Sequence, residues 1–404
     1  MWGYNEVHME NPLAIIKDFL SSFKSRASDG ASILGIDIGA SSIKVVQLKK
    51  KRGVTILETY GELALGPYAE LEVGRATNLP PAKLTEALID IITEANVTTK
   101  LCGVAIPFSA SLISIMPLPS NIDESQLAKM IPIEARKYIP VPISEVTLDW
   151  FVIPERKDKY LSKEDTAANT KNTDKDSTTS LKAGSSPVAN KMDVLLVAIH
   201  NETLNKYRDV LKGAGLSVSF YEIEVFSTIR AAVEGGIDPV MVVDMGAAAT
   251  KVYVVEFGIV KVSHIINKGS QDITLALSRS MGISVTKAEQ LKREVGLIKT
   301  ADKPQIKESI LLTLEYIFSE SNRVLLSYQR KYNRSVSKVL FTGGGAVLNG
   351  LKEEAAGRFN TEVVLADPFK KTETPAFLEA VLKEVGPEFA VAVGVALRKL
   401  QELG

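Results

Sequence analysis

Apolar and polar positions along this chain change rhythm several times, and the changes outline its elements. Short runs rich in Ile and Val read as strands over 33–38, 43–48 and 54–60, and again over 240–244, 251–257 and 259–266. The two sets follow the same order, which points to an internal duplication. Between them the apolar spacing turns helical. Leu84, Leu88 and Ile91 mark a helix over 82–95, and Leu204, Tyr207 and Leu211 mark one over 201–214, stopped at Gly213-Ala214-Gly215. A further helix is expected over 223–234, ended by Gly235-Gly236. Residues 270–332 are helical throughout, with Ile310, Leu314, Ile317, Val324 and Tyr328 on the buried face of a long helix near 305–332. A strand over 338–342 runs into Gly343-Gly344-Gly345, and a helix over 389–403 closes the chain. At the other end, Leu13, Ile16, Phe19, Leu20 and Phe23 share one face of a helix over 12–24, followed by a polar linker to residue 30.

Residues 101–198 read as an inserted subdomain. The strands Gly103–Pro107 and Ser111–Met116 are expected to pair, and Asn121 or Asp123 caps a helix running to Tyr138, kinked or split at Pro132. A strand over 146–153 comes next. Residues 156–191 then turn almost wholly to Lys, Asp, Ser, Thr, Asn and Ala. Such a segment buries too little apolar surface to offset its ordering entropy, so a disordered loop is expected. An apolar strand over 192–199 follows it.

Composition narrows the function classes. The 404 residues carry 48 Lys and Arg against 48 Asp and Glu, so no overall charge favours nucleic acid. One cysteine, Cys102, excludes an internal disulfide framework, and three histidines are few for a zinc site. No apolar run reaches the roughly 18 residues of a membrane span, and no secretory signal is expected.

The chemistry lies in the duplicated strands. Ile36-Asp37-Ile38-Gly39-Ala40-Ser41-Ser42 and Val243-Asp244-Met245-Gly246-Ala247-Ala248-Ala249 are each a strand ending in Asp-x-Gly and then a turn of small residues. Small residues let backbone N–H groups approach an anion, and a strand-end Asp can hold Mg²⁺ through water. Two such turns face to face would grip a phosphate tail, with Lys44 reaching a phosphate from the strand beyond. Glu289 and Lys292, three apart on a helix, share a face that suits a ribose and a base. Gly343–Gly345 would let a nucleoside pack on the main chain.

With these motifs in place, the chain resembles the superfamily that unites actin, heat-shock chaperones and sugar kinases. Within it, Gly35–Leu48, Ile133–Pro140 with Leu148-Asp149-Trp150, Ala288–Arg293, Gly343–Ala346 with Ala366–Phe369, and Phe389–Arg398 are similar to the PilM family of type IV pilus assembly proteins, relatives of FtsA. The resemblance implies an α/β, actin-like (ribonuclease H-like) two-lobed ATPase fold with an FtsA-type inserted 1C subdomain. The divisions expected are an N-terminal helix and linker at 1–30, lobe 1A at 31–100 and 199–238, 1C at 101–198, lobe 2 at 239–369 with 2B near 276–337, and a return to 1A at 370–404. It implies ATP and Mg²⁺ as ligands, with Asp37 and Asp244 on the metal. Phosphates would rest on Gly39, Ser41, Ser42, Lys44, Gly246 and Thr250, and the nucleoside on Glu289, Lys292, Gly343, Gly344 and Gly345.

It also implies a cytoplasmic place at the inner membrane, through the N-terminal peptide of a PilN-like membrane protein. Other platform proteins, motor ATPases and self-association are further partners to consider. Because Ala247-Ala248-Ala249 offers no group to polarise water, at most slow ATP hydrolysis is expected, with Glu202 the candidate base. The alternatives are a type II secretion platform component, an FtsA-type filament protein and a sugar-kinase-like phosphotransferase.

Overall fold

The computed structural model describes residues 30–120, 122–154, 191–298 and 304–402. The helix read over 12–24, Asn121 and all of the 156–191 segment except Lys191 lie outside these residues. Among the described residues the chain forms two compact units, one from Ile113 to Ala198 and one from the rest.

The larger unit carries two five-stranded sheets. The first contains β1 (Ser32–Ile38), β2 (Ser42–Lys51), β3 (Val54–Ala64), β4 (Leu101–Ile106) and β8 (Ser217–Ile223), in the order β3-β2-β1-β4-β8. The second contains β9 (Val240–Met245), β10 (Thr250–Glu256), β11 (Ile259–Ile266), β12 (Lys338–Thr342) and β13 (Glu362–Leu365), in the order β11-β10-β9-β12-β13. Each sheet is an antiparallel meander whose first strand then pairs parallel with a later one. That doubled topology is the one the actin-like reading requires.

Helices cover the sheets because the central strands are apolar on both faces. In the first half, α1 (Pro81–Glu94) and α3 (Asn201–Gly213) pack Leu84, Leu88, Ile91, Tyr207 and Leu211 against Leu34, Ile36 and Val104. The opposite face takes α4 (Glu224–Ala232) and the last helix, α10 (Ala390–Glu402). Here the backbones come unusually close. A Cβ at Gly35 would overlap the Ala392 carbonyl, and one at Gly394 would overlap that of Ser227. A buried ion cluster ties these layers together. Arg230 grips Glu222 with two nitrogens at 2.6 and 2.7 Å and donates to the Gly394 carbonyl, while Arg398 stacks 4.2 Å from the Phe220 ring. Burial alone would raise the Glu222 carboxyl, but Arg230 holds it below its ordinary range.

In the second half, α5 (Ser270–Met281), α6 (Val285–Val295) and the long α7 (Pro304–Tyr332) build the core. Ile273, Leu277, Ile310, Leu314 and Ile317 meet Met241, Val243, Val252 and Val254 of the sheet. Two short helices, α8 (Leu351–Ala356) and α9 (Glu379–Val385), complete the unit.

The smaller unit has β5 (Ser111–Pro119), which enters it from the larger one, α2 (Glu124–Glu134), β6 (Val146–Ile153) and β7 (Lys191–His200), in strand order β5-β7-β6. Pro132 neither splits nor ends α2; it falls in the last turn, where a missing N–H removes only one bond, and the helix then tightens at Ala135–Lys137. Two sequence readings change. The strand at Leu101–Ile106 does not pair with Ser111–Pro119 but lies between β1 and β8 as a parallel strand. Strands β8 and β13 were not foreseen, although Val218 and Phe220 alternate with serines over 217–220.

Candidate functional site

The two sheets meet the same cleft, about 570 Å³ in volume, within the larger unit. Its walls begin with the two small-residue turns. In the first, Gly39 N donates to the Ser42 carbonyl at 2.9 Å; in the second, Gly246 N donates to the Ala249 carbonyl at 3.0 Å. The two turns thus repeat one hydrogen-bonding pattern. Asp37, Gly39, Ser41, Ser42 and Lys44 line one side, and Asp244, Gly246, Glu289, Lys292 and Gly343–Gly345 line the other. Thr250 is not among the lining residues; its hydroxyl donates to the Lys268 carbonyl at 2.8 Å. Glu202 is exposed in the first turn of α3 and does not line the cleft.

The three glycines after β12 divide their work. Gly343 adopts φ +82°, and a Cβ there would overlap Asp244 Oδ1; a Cβ at Gly345 would lie 2.7 Å from that of Met245. Those two are glycines because the second turn packs on them. Gly344 meets nothing closer than Glu388 at 3.7 Å, so it is the residue that leaves room in the cleft.

Glu289 accepts three hydrogen bonds, which leaves one lone pair of Oε1. Its Oε2 accepts from Thr274 Oγ1 at 2.6 Å and Lys292 Nζ at 2.7 Å, and its Oε1 accepts from Arg293 Nε at 2.8 Å. Burial would raise its carboxyl, but Lys292 holds it low; burial in turn lowers Lys292 against the pull of Glu289.

Several charged groups at the cleft were not singled out in the sequence. Lys44 stands across β2 from Asp37 and next to Glu62 on β3, and it takes Glu62, at 3.0 Å, and Ser42 Oγ, at 2.8 Å. Burial works against the Lys44 charge, but Glu62, Glu388 and Asp37 together raise the ammonium. Asp37, in contrast, is pushed up to about 7, by burial against the pull of Lys44. Glu388, beside Glu62, is also pushed up to about 7, by burial and then by that neighbouring carboxylate.

On the other side, Lys251 stands across from Asp244 as Lys44 does from Asp37. Its ammonium lies 3.2 Å from Asp244 Oδ2 and 2.8 Å from Glu224 Oε2. Burial works against its charge, yet Asp244 and Glu224 together raise it. Glu224 opens α4, and its other oxygen accepts from Phe108 N at 2.6 Å. A signal for Lys251 was available: it follows Asp244 at the spacing by which Lys44 follows Asp37. Nothing local marked Glu224, which comes from the far edge of the first sheet.

This donor set bears directly on the Mg²⁺ expected at Asp37 and Asp244. Water-held Mg²⁺ requires carboxylate oxygens open to the cleft. Asp37 fits, since its half-buried carboxyl lines the cleft and, raised to about 7, gains from a cation. Asp244 fits poorly, because Lys251 already covers one oxygen and Gly343 packs against the other. Among the described residues no three His, Cys, Asp or Glu side chains converge on a metal position.

The family described as type IV pilus assembly protein PilM matches residues 35–179 and 180–400. The chain belongs to that family. A chain from the PilM-PilN type IV pilus biogenesis complex is similar in structure, with TM-score 0.71 and 23% identity over 91% of this chain and 98% of that one. The ethanolamine utilization protein EutJ of Carboxydothermus hydrogenoformans matches with TM-score 0.49 and 15% identity over 92% and 91% of the two chains. MreB5 of Spiroplasma citri bound to ADP matches with TM-score 0.48 and 11% identity over 92% and 99%. The family match, with the chain at TM-score 0.71 beside it, establishes the fold. Among the described residues no helix is long and apolar enough to cross a membrane.

Proposed function

We propose that this PilM-family chain is an ATP-binding scaffold of a type IV pilus assembly platform, in which the nucleotide acts as a structural or switching ligand. The observation that carries the nucleotide reading is the pair of like turns facing one cleft, each with a lysine across from its aspartate. Backbone N–H groups of the turns would hold the phosphates, together with Lys44 and Lys251. Glu289 would accept a ribose hydroxyl, and the base would lie over Gly344, between Lys292 and the glycine backbone. Mg²⁺, where present, would lean on the Asp37 side.

Slow hydrolysis follows from the same geometry. Glu224 lines the cleft, but its two oxygens are held by Lys251 and by Phe108 N. A general base needs a free lone pair aimed at the nucleophile. Turnover well below about 1 s⁻¹ is expected. Purified protein hydrolysing ATP faster than this, with activity lost on Glu224→Gln, would show that the carboxylate is released in the loaded state.

The partner in this reading is the short N-terminal peptide of a PilN-like membrane protein, which would hold the chain at the cytoplasmic face of the inner membrane. Family membership and the likeness to a chain solved in a PilM-PilN complex support it. The smaller unit, taken as the 1C subdomain in this reading, offers β5 and β6 as outer strands, the kind of edge to which an extended peptide adds by backbone hydrogen bonds. Fractionation with and without the partner tests the idea. Membrane association that persists in cells lacking the PilN-like protein removes the peptide from the mechanism. A pull-down in the presence and absence of ATP then reports whether nucleotide and partner are coupled.

A further inference from the structure

We infer that Lys251 supplies, as a built-in charge, what a divalent cation would supply beside Asp244, so that the cleft takes a nucleoside di- or triphosphate with little dependence on Mg²⁺. The inference rests on the nucleotide reading above and deepens it.

The strand registers explain how the lysine comes to sit there. In each half of the larger unit three neighbouring strands place three residues in a row across the sheet. In the first half the row is Asp37, Lys44, Glu62. In the second it is Asp244, Lys251, Ile265. Lys44 therefore has an acid on its outer side and takes it. Lys251 has an isoleucine there, so its ammonium turns inward to Asp244 Oδ2 and to Glu224 Oε2. The seat is assembled from both halves, since Glu224 belongs to the first and Asp244 to the second. Phe108 N fixes Glu224 from behind, and Gly343 packs on the remaining oxygen of Asp244.

The ammonium is desolvated but not sealed off. The Lys251 side chain retains 20% of its exposure, and the residue lines the cleft beside Gly246 and Ala248. A phosphate oxygen resting on the second turn would meet that charge directly. A hydrated divalent ion brought to the same point would meet it too, and like charges a few ångströms apart in a partly buried site repel strongly. The lysine and the metal thus compete for one place, and the lysine is covalently held in it. A point charge on a flexible stem is a suitable phosphate ligand without any metal.

Calorimetric titration of the full chain with ADP and with ATP, once in excess EDTA and once in excess Mg²⁺, tests this. Wild-type affinity should differ by less than about tenfold between the two conditions, the scale of one modest charge contact. Lys251→Met should lower affinity in EDTA by about tenfold or more, as loss of a close charge pair does, and Mg²⁺ should recover part of the loss. Lys251→Arg should bind without metal as the wild type does. A wild-type affinity that falls by more than about tenfold in EDTA overturns the inference and leaves the nucleotide reading standing, as does Lys251→Met binding in EDTA at wild-type strength. Absence of any binding by folded wild type in both conditions removes the nucleotide reading and this inference with it. If Lys251→Met does not fold, as judged by circular dichroism, the two wild-type titrations decide alone.

Discussion

The two small-residue turns at the cleft are alike in backbone and unlike in charge. Both close with a hydrogen bond of about 3 Å from the glycine N–H to the carbonyl three residues on, and both set a lysine across from an aspartate. In the first half the lysine leaves its aspartate for Glu62, and Asp37 is left half-buried with its carboxyl raised to about 7. In the second the lysine returns to its aspartate and also binds Glu224. One residue on the third strand, Glu62 or Ile265, separates the two outcomes. Duplication of a backbone therefore does not duplicate its electrostatics. A long cationic side chain goes to whichever acid the neighbouring element presents.

Breaking the seat of Lys251 should have the largest effect. Glu224→Ala leaves Lys251 with Asp244 alone and deprives Phe108 N of its acceptor; removing one member of a buried pair typically costs about 3–5 kcal/mol. Urea unfolding would measure it, and a loss under about 1 kcal/mol would show that Asp244 and solvent suffice to neutralise Lys251. Gly343→Ala should come next. It forces a Cβ onto Asp244 Oδ1 at a φ of +82°, and residues in such backbone regions cost roughly 1–3 kcal/mol. Unchanged stability together with unchanged nucleotide affinity would mean that the second turn simply moves aside.

Glu62→Ile writes the second half into the first. It should lose only about 0.2–1 kcal/mol, the range for a cross-strand charge pair. Its sharper consequence is that Lys44 turns to Asp37, so the Asp37 carboxyl titrates below its wild-type value in a carbon-detected NMR experiment. If Asp37 does not move, the third-strand residue is not what distinguishes the halves.

A further effect is one of pH. Glu388 rises from an ordinary 4.5 to about 7, through burial and then Glu62. Between these values the folded chain holds a proton that the unfolded chain has released, so this contribution to stability is complete below pH 4.5 and is lost as pH rises through about 7. Comparing thermal unfolding at about pH 5 and pH 8, Glu388→Gln should lose less stability on going to the higher pH than wild type does. An identical difference in both proteins would show that Glu388 titrates at its ordinary value.

Much of the fold was legible because its signals are local. The strands of both meanders, the helices α1, α3, α5, α6 and α7 and the final helix follow from periodicity, and the turns follow from Asp-x-Gly and small residues. The failures fall where pairing is remote. The apolar run at 101–106 looks like half of a hairpin, but its partners are β1, far earlier, and β8, far later. β8 itself is a short edge strand with one alternating face, and β13 has only four residues. In the site, Asp37, Lys44, Asp244, Glu289, Lys292 and the glycines belong to compact motifs that can be read in place.

The sequence by itself determined that one strand, Asp-x-Gly and small-residue turn occurs twice and that the chain is a member of the PilM family. Only the tertiary structure decided that Lys251 faces Asp244 and Glu224, that Thr250 turns to the Lys268 carbonyl and that Glu202 stands outside the cleft. The physical reason is distance along the chain. A turn is specified by residues that follow one another, whereas the partner of a buried charge is whatever acid the packing of strands and helices brings within about 3–4 Å of it, the range in which the Coulomb term can offset desolvation.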